Sequence, residues 1–353
     1  MATYGFLVLP SHNRVYSSAA PDLVRAELAV FGETALGGRI RKIEEKGIAG
    51  VPYVTFEADD LSPQDIALIS NLSSLYALYE LNGELLRPVP TAPLDAFGSD
   101  LLTIQKYSGK TNELFTKLLL NVTAMAAGDP AALVTGRPRV FDPLCGRGTT
   151  LNQAMMYGLD SAGIDLDAKD FDAYATFIRT WLKNNRLKHQ ADVTPIRRDR
   201  ALLGKRLKVS AGASKEAYKA GEAVEIDVVN GDTLKSDTFF KPRSFDLIVT
   251  DAPYGVQHGS RPQGGRPGAR KGGETLSRSP VQLLEAAVPV WTRLLRPGGA
   301  IGISWNTHVG KREELASILE TSGYEVCDSE AYRGFRHRVD QSIVRDLIVA
   351  RHP

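Results

Sequence analysis

The four residues Asp251-Ala252-Pro253-Tyr254 are the best candidate for a reactive turn in this chain. They follow the apolar run Phe245 to Thr250, which reads as a buried strand, so the turn stands at a strand end. The Asp251 carboxylate and the Ala252 carbonyl can each accept one N–H hydrogen bond from a primary amine. The Tyr254 ring can stack on the heterocycle that carries the amine. A nucleobase amine is a poor nucleophile because its lone pair is delocalised into the ring. Two acceptors favour a pyramidal nitrogen with that lone pair available. Pro253 biases Ala252 toward extended backbone. Chemistry at such a turn is positioning plus electrostatics. The rival reading is a plain strand-to-loop turn, and the residues upstream argue against it.

Upstream, the segment Val140 to Thr150 (VFDPLCGRGTT) passes from a strand through an acid and a Gly-rich turn into a helix. Glycines there let the backbone approach a nucleotide-like ligand, and the helix start offers N–H groups and partial positive charge. The carboxylate of S-adenosylmethionine suits that socket, with Asp142 placed to hold its ammonium group. Cys145, Gly146, Gly148 and Thr149 complete the turn, Cys145 as a small packing residue and not a nucleophile. A P-loop is disfavoured because no Gly-Lys-Ser/Thr follows. About twenty residues on, Gly163-Ile164-Asp165-Leu166-Asp167 ends the next strand. Asp165 is placed to accept hydrogen bonds from ribose hydroxyls, with Leu166 beside it. That rule is shared with NAD enzymes, so it points to a ribose and not to one cofactor. Asp167 also reads as a helix cap. In Asn230-Gly231-Asp232-Thr233, Asp232 can accept from an adenine amine, with Thr233 next to it.

These residues need a scaffold that brings strand ends together. From Val140 onward, strands alternate with helices, the mark of a parallel α/β sheet of about seven strands. Expected strands end at Phe141 and Asp165 and span Ile226–Val229, Phe245–Thr250, Ala300–Trp305, Tyr324–Val326 and Val344–Ala350. Expected helices span Thr150–Tyr157, Phe171–His189 and Lys311–Thr321. Residues 1–95 read as a smaller α+β domain, ferredoxin-like in one arrangement. It has strands at Tyr4–Leu9, Val51–Phe56 and Ser74–Leu81. Its helices are Pro21–Phe31, entered at Ala20-Pro21, and Pro63–Ile69, capped by Ser62. Pro88 to Gly98 reads as the linker to a second domain of residues 96–353.

Together, several segments resemble the THUMP-associated RNA methyltransferases, a class I S-adenosylmethionine-dependent family with a DPPY-type loop that includes tRNA guanine-N2 enzymes. They are Lys106-Tyr107-Ser108-Gly109-Lys110-Thr111-Asn112, the helix Glu113–Ala126, the DPLCGRGTT turn, the DAPYG loop and Arg296-Pro297-Gly298-Gly299. The resemblance runs from about Gln105 onward. It implies a Rossmann-like sheet, S-adenosylmethionine as cofactor and methyl transfer to the N2 amine of a guanosine. In this chain Ala252 stands where the family loop has its first proline, which keeps the carbonyl and loses stiffness. The region before Gln105 is shorter than a full THUMP module with its companion domain.

Composition fits that reading. The hydrophobic fraction of 43% and charged fraction of 24% belong to a globular protein with a sizeable core. No apolar run approaches the ~20 residues of a membrane helix. Met1 to Pro10 has neither a basic n-region nor a cleavage site. Cys145 and Cys327 are the only cysteines, which disfavours a disulfide framework or a Cys-based zinc site and fits a reducing cytoplasm. No metal is expected. Net charge is only +2, but residues 195–222 carry net +5 and residues 258–280 net +4. The second segment is Gly-rich and starts just after Tyr254, a natural clamp for phosphates. The first reads equally as a solvated insertion. His308, His337 and Arg338 are loop candidates for substrate contact. The expected partner is tRNA, docked with help from the N-terminal domain. Rival readings are a DNA adenine-N6 or cytosine-N4 methylase, a protein-glutamine methylase, and a non-catalytic RNA-binding protein of the same fold.

Overall fold

The computed structural model describes residues 1–11, 13–198, 201–253 and 279–353. The N-terminal sheet contains β1 (Ala2–Val8), β2 (Ile40–Ile48), β3 (Val51–Ala58), β4 (Leu75–Asn82) and β5 (Leu85–Val89), in the order β2-β3-β1-β4-β5. Every pairing is antiparallel. With helices α1 (Arg14–Glu33) and α2 (Pro63–Ile69), the order is that of a ferredoxin-like β-α-β-β-α-β unit extended by the β4–β5 hairpin.

Helix α1 begins a full two turns before the expected entry at Pro21. The Asn13 side chain caps it, accepting from the Val15 and Tyr16 N–H groups, and Pro21 lies buried inside the helix. A proline there removes one helical hydrogen bond, and packing of an apolar face compensates. Strand β2 was not expected. Its IRKIEEKGI sequence is charged and mostly exposed, so no buried face marks it. Helix α2 agrees with its expected span, with a Ser62–Asp65 capping box.

The second sheet is built on β6 (Val140–Asp142), β7 (Ser161–Asp165), β8 (His189–Arg198), β9 (Ala201–Ala211), β10 (Val224–Asn230), β11 (Phe245–Asp251), β12 (Leu295–Asn306), β13 (Glu325–Cys327), β14 (His337–Arg338) and β15 (Val344–Arg351). Its order is β13-β15-β12-β11-β6-β7-β10-β9-β8, with β14 on β15. The run from β10 to β12 is parallel, and β15 enters antiparallel between β12 and β13. This is the Rossmann-like order of class I methyltransferases. Strand order reverses between β6 and β11, and ligands bind beyond the carboxyl ends of strands at such a switch point.

Three departures concern this sheet. It holds ten strands among the described residues, more than the expected seven. The helix expected to reach His189 is α7 (Ala168–Asn184), and His189 opens β8. The basic stretch from residue 195 lies largely in the β8–β9 hairpin, which extends the sheet beyond β10. Helix α9 (Pro280–Thr292), capped by Ser279 and Gln282, was also unexpected.

Helix α4 (Glu113–Ala126) joins the two sheets. Eleven of its fourteen residues are buried, because one side packs on β12 and β15 and another on α1. One apolar core therefore runs from Phe6 and Leu28 through Leu119 to Leu347. Within it lies a buried polar knot. Glu27, fully buried, accepts from Ser73 N and Oγ and from Asn121 Nδ2 at 2.7 Å. Asn121 also donates to the Asn71 carbonyl and accepts from Tyr157 Oη at 2.9 Å. Burial raises the Glu27 carboxyl, and its donors pull it back. The expected linker is tied down too, since Ala92, Leu94 and Ala96 donate to Ser70, Asn71 and Met156.

Candidate active site

Residues from separate elements meet at the β6/β11 switch point. Pairing of β11 with β6 sets Thr250 beside Asp142, and Thr250 Oγ1 donates to Asp142 Oδ1 at 2.8 Å. The Leu144 N–H donates to the same oxygen. Burial pushes the Asp142 carboxyl up to about 7, against lowering by Thr150 and Thr250. Such a group gains from a cation brought to it, which fits an ammonium.

The turn after Asp142 is shaped by its glycines. Gly148 is the left-handed cap of α6 (Thr149–Met156), at φ 78°, and a Cβ there would lie 2.3 Å from the Tyr174 ring. A Cβ on Gly146 would meet nothing within 4 Å, so that side of the turn is open to a ligand. Cys145 is buried, its thiol pushed well up by burial, and it packs with Leu151 and Tyr174. That is a packing role. Asp165 accepts from the Gly146 and Asp167 N–H groups, each at 2.8 Å, which fixes the acid against the Gly-rich turn. Burial raises its carboxyl. Beside it Leu166 is 57% exposed, an apolar surface suited to a flat adenine. Asp167 caps α7 through the Lys169 N–H.

The Asp232 turn is locked to the same place, since Gly231 N donates to the Asp165 carbonyl and Asn230 Nδ2 to the Asp165 and Leu166 carbonyls. Asp232 also caps the short 3-10 helix Thr233–Thr238. Thr233 is buried, and its hydroxyl accepts from Trp291 Nε1, so its side chain belongs to the core.

Asp251 ends β11. Thr111 Oγ1 donates to its Oδ2 at 2.5 Å, Ser304 Oγ donates to its Oδ1, and Arg345 Nη2 stands 3.6 Å from Oδ2. Ala252 is buried and its N–H donates to the Ser304 carbonyl, while Pro253 is exposed. Tyr254 and the basic Gly-rich segment up to residue 278 lie outside the described residues. None of Thr111, Ser304 and Arg345 was expected as a site residue: Thr111 lies in the Lys106–Asn112 segment without a role of its own there, and Ser304 and Arg345 carry no local motif. The Lys106–Asn112 segment works as a strap. Tyr107 Oη meets Thr149 Oγ1 at 3.1 Å at the cofactor turn, and Thr111 reaches Asp251. Arg147 lies over the Tyr107 ring at 4.7 Å and pairs with Asp170.

Beside Asp251 opens a cleft of about 920 Å³ between the two sheets, with Asn13 and Tyr16 on one wall and Lys106, Lys110, His337 and Arg345 on others. His308 is not part of its lining.

One family model agrees with this architecture. Residues 131–266 match the model of the UPF0020 family, described as "RMKL-like, methyltransferase domain". No curated protein matches the chain. Among solved structures, the N-methyltransferase NodS from Bradyrhizobium japonicum WM9 is 13% identical, over 68% of this chain and 94% of that one, with a TM-score of 0.38. The 1,6-didemethyltoxoflavin-N1-methyltransferase of Burkholderia thailandensis is 15% identical, over 63% and 74%, with a TM-score of 0.34. A TehB-like SAM-dependent methyltransferase from Corynebacterium glutamicum is 16% identical, over 63% and 85%, at 0.32. Likenesses this distant say nothing about a substrate. Strand order, the glycine turn and the family match define a class I, S-adenosylmethionine-dependent methyltransferase domain. No helix among the described residues is long and apolar enough to cross a membrane.

Proposed function

We propose that this chain methylates an exocyclic amine of RNA, the N2 amine of a guanosine in tRNA. The observation that carries this reading is the carboxylate of Asp251, held by Thr111 and Ser304 at the switch point, with a basic cleft beside it. When bound, S-adenosylmethionine supplies an electrophilic methyl group on a positively charged sulfur. Asp142 would hold its ammonium, the first N–H groups of α6 its carboxylate, Asp165 its ribose hydroxyls and Asp232 its adenine amine.

Asp251 and the Ala252 carbonyl then accept the two N–H bonds of the substrate amine. Two fixed acceptors hold the nitrogen pyramidal and stabilise the positive charge it gains before losing a proton. Thr111 and Ser304 orient the Asp251 carboxylate, and Arg345 stands beside it. Tyr254 follows in sequence as the stacking ring for the base. Lys106 and Arg338 in the cleft suit phosphates, whereas Lys110 donates to the Leu102 carbonyl and pairs with Glu113. The N-terminal domain forms the other wall, which supports an RNA-docking role for it. Guanosine and tRNA as substrates rest on the family resemblance of the strap, turn and loop.

The test is tritiated methyl transfer from S-adenosylmethionine to total tRNA, rRNA and DNA, followed by nucleoside analysis. Label in N2-methylguanosine of tRNA is expected. Label confined to N6-methyladenine of DNA would overturn the substrate reading.

A further inference from the structure

The cleft beside Asp251 is lined in part by a histidine whose buried ring nitrogen is used by no described residue. His337 lies on β14, opposite Arg345 of β15, and is 8% exposed. Its Nδ1 stands 2.9 Å from the Phe335 carbonyl, and a carbonyl only accepts, so Nδ1 carries the proton. Burial lowers the ring to about 4, helped by the charge of Arg345, so the imidazole is neutral at ordinary pH. The remaining nitrogen, Nε2, is therefore an acceptor, and it has no hydrogen-bond partner among the described residues. A buried polar atom without a partner is rare and calls for an explanation.

Its surroundings say what would meet it. The His337 ring packs against Phe115 at 5.2 Å and edge-on to Tyr16 at 6.2 Å, so its position is fixed by aromatic neighbours. Arg345 lies over the other partner of that stack, 4.4 Å from the Phe115 ring, and reaches Asp251. Asp251, Arg345, Phe115 and His337 thus form one contiguous row. His337 and Arg338 also line a second groove, of about 740 Å³, with Arg14 and Arg336. His337 therefore lines both cation-lined clefts, and Phe115 and Arg345 link it to the carboxylate assigned to an amine.

We propose that this cleft binds the substrate nucleotide and that His337 Nε2 accepts a hydrogen bond from the ring N–H of its base, making His337 a specificity-determining residue. The inference rests on the amino-methyl transfer reading for the choice of base. A guanine offers that ring N–H next to its exocyclic amine, whereas 2-aminopurine keeps the amine and lacks the N–H. A site left with an unpaired acceptor rejects the analogue that lacks the donor.

Calorimetry of the whole chain with saturating S-adenosylhomocysteine tests this, using guanosine, 2′-deoxyguanosine and 2-aminopurine riboside 5′-monophosphates as probes. Wild-type protein should prefer guanosine over the 2-aminopurine nucleotide about tenfold. His337→Phe keeps a ring against Phe115 and Tyr16 and should bind both equally, with melting temperature and cofactor affinity unchanged. His337→Gln, with an amide oxygen as acceptor, should recover part of the preference and covers the case in which the Phe variant fails to fold. Three results overturn the proposal: no preference in wild type, a preference that survives in His337→Phe, or loss only of the distinction between ribose and deoxyribose. If the base preference depends on His337 but no exocyclic amine is methylated, the cleft assignment stands and the amine-transfer reading falls.

Discussion

At the scale of single residues, the site depends on two carboxylates with different tasks. Asp251→Ala should leave S-adenosylmethionine affinity within about twofold and cut kcat by about 10²–10³, the size of effect seen when a transition-state hydrogen-bond group is removed. Single-turnover methyl transfer alongside calorimetry separates the two quantities. Asp142 makes a pH prediction. Its carboxyl is pushed up to about 7 in the folded chain, from an unfolded value near 3.9. Between those values the folded state holds a proton that the unfolded state has lost, so this group makes the ligand-free protein less stable as pH rises through the window. The cofactor's ammonium favours the ionised form, so affinity should rise with pH up to about 7 and then flatten. Titrations across that range, with Asp142→Asn flattening the dependence, check the sign. Asp142, Asp165 and Asp251 were legible in the sequence because each ends an apolar strand. Thr111, Ser304 and Arg345 were not, since only tertiary packing brings them to Asp251.

Among the elements, the glycine turn and its helix are the most constrained. Gly148→Ala adds a methyl group 2.3 Å from a Tyr174 ring that is itself fully buried, at φ 78°. Left-handed backbone and overpacking together should cost about 2–4 kcal/mol. A lower melting temperature with weakened cofactor binding is the expected result, and a variant as stable as wild type would contradict the packing described. The core strands of the second sheet were readable because burial on both faces leaves continuous apolar runs. The β8–β9 hairpin was not. Its outer strand β8 is largely exposed, and β9 buries only Leu207, Val209 and Ala211 along one face among charged neighbours, paired on β10. Helix α1 shows the opposite failure, where Pro21 looked like a start and the true cap was Asn13, whose first turns (Arg14-Val15-Tyr16-Ser17-Ser18) carry too few apolar residues to set a helical period.

At the scale of the molecule, α4 makes two sheets share one core, so the chain should unfold as a unit. Asn121→Ala removes partners from Glu27, Asn71 and Tyr157 together, all buried at the junction. A loss of about 2–4 kcal/mol is expected for such a network. Denaturant unfolding should show a lower midpoint with an unchanged slope and still a single transition. Two separated transitions would mean that the sheets are independent. A fused core of this kind was invisible in the sequence, where Pro88 to Gly98 looked like a boundary. What hid it is that α4 is apolar nearly all round, a pattern that identifies burial without naming the partner.

The β8–β9 hairpin has a further consequence, for how copies of this chain meet one another. Without it, the sheet would end at β10, a half-buried strand with one row of backbone donors and acceptors unpaired. The hairpin moves that margin outward to β8, where Asp192, Pro195 and Arg197 are exposed. Proline withholds a donor, and charges oppose the approach of a second strand. With a net charge of only +2, mutual repulsion between whole molecules is weak. Resistance to strand-to-strand aggregation must then be local, and the outer strand of this hairpin is where the chain has built it.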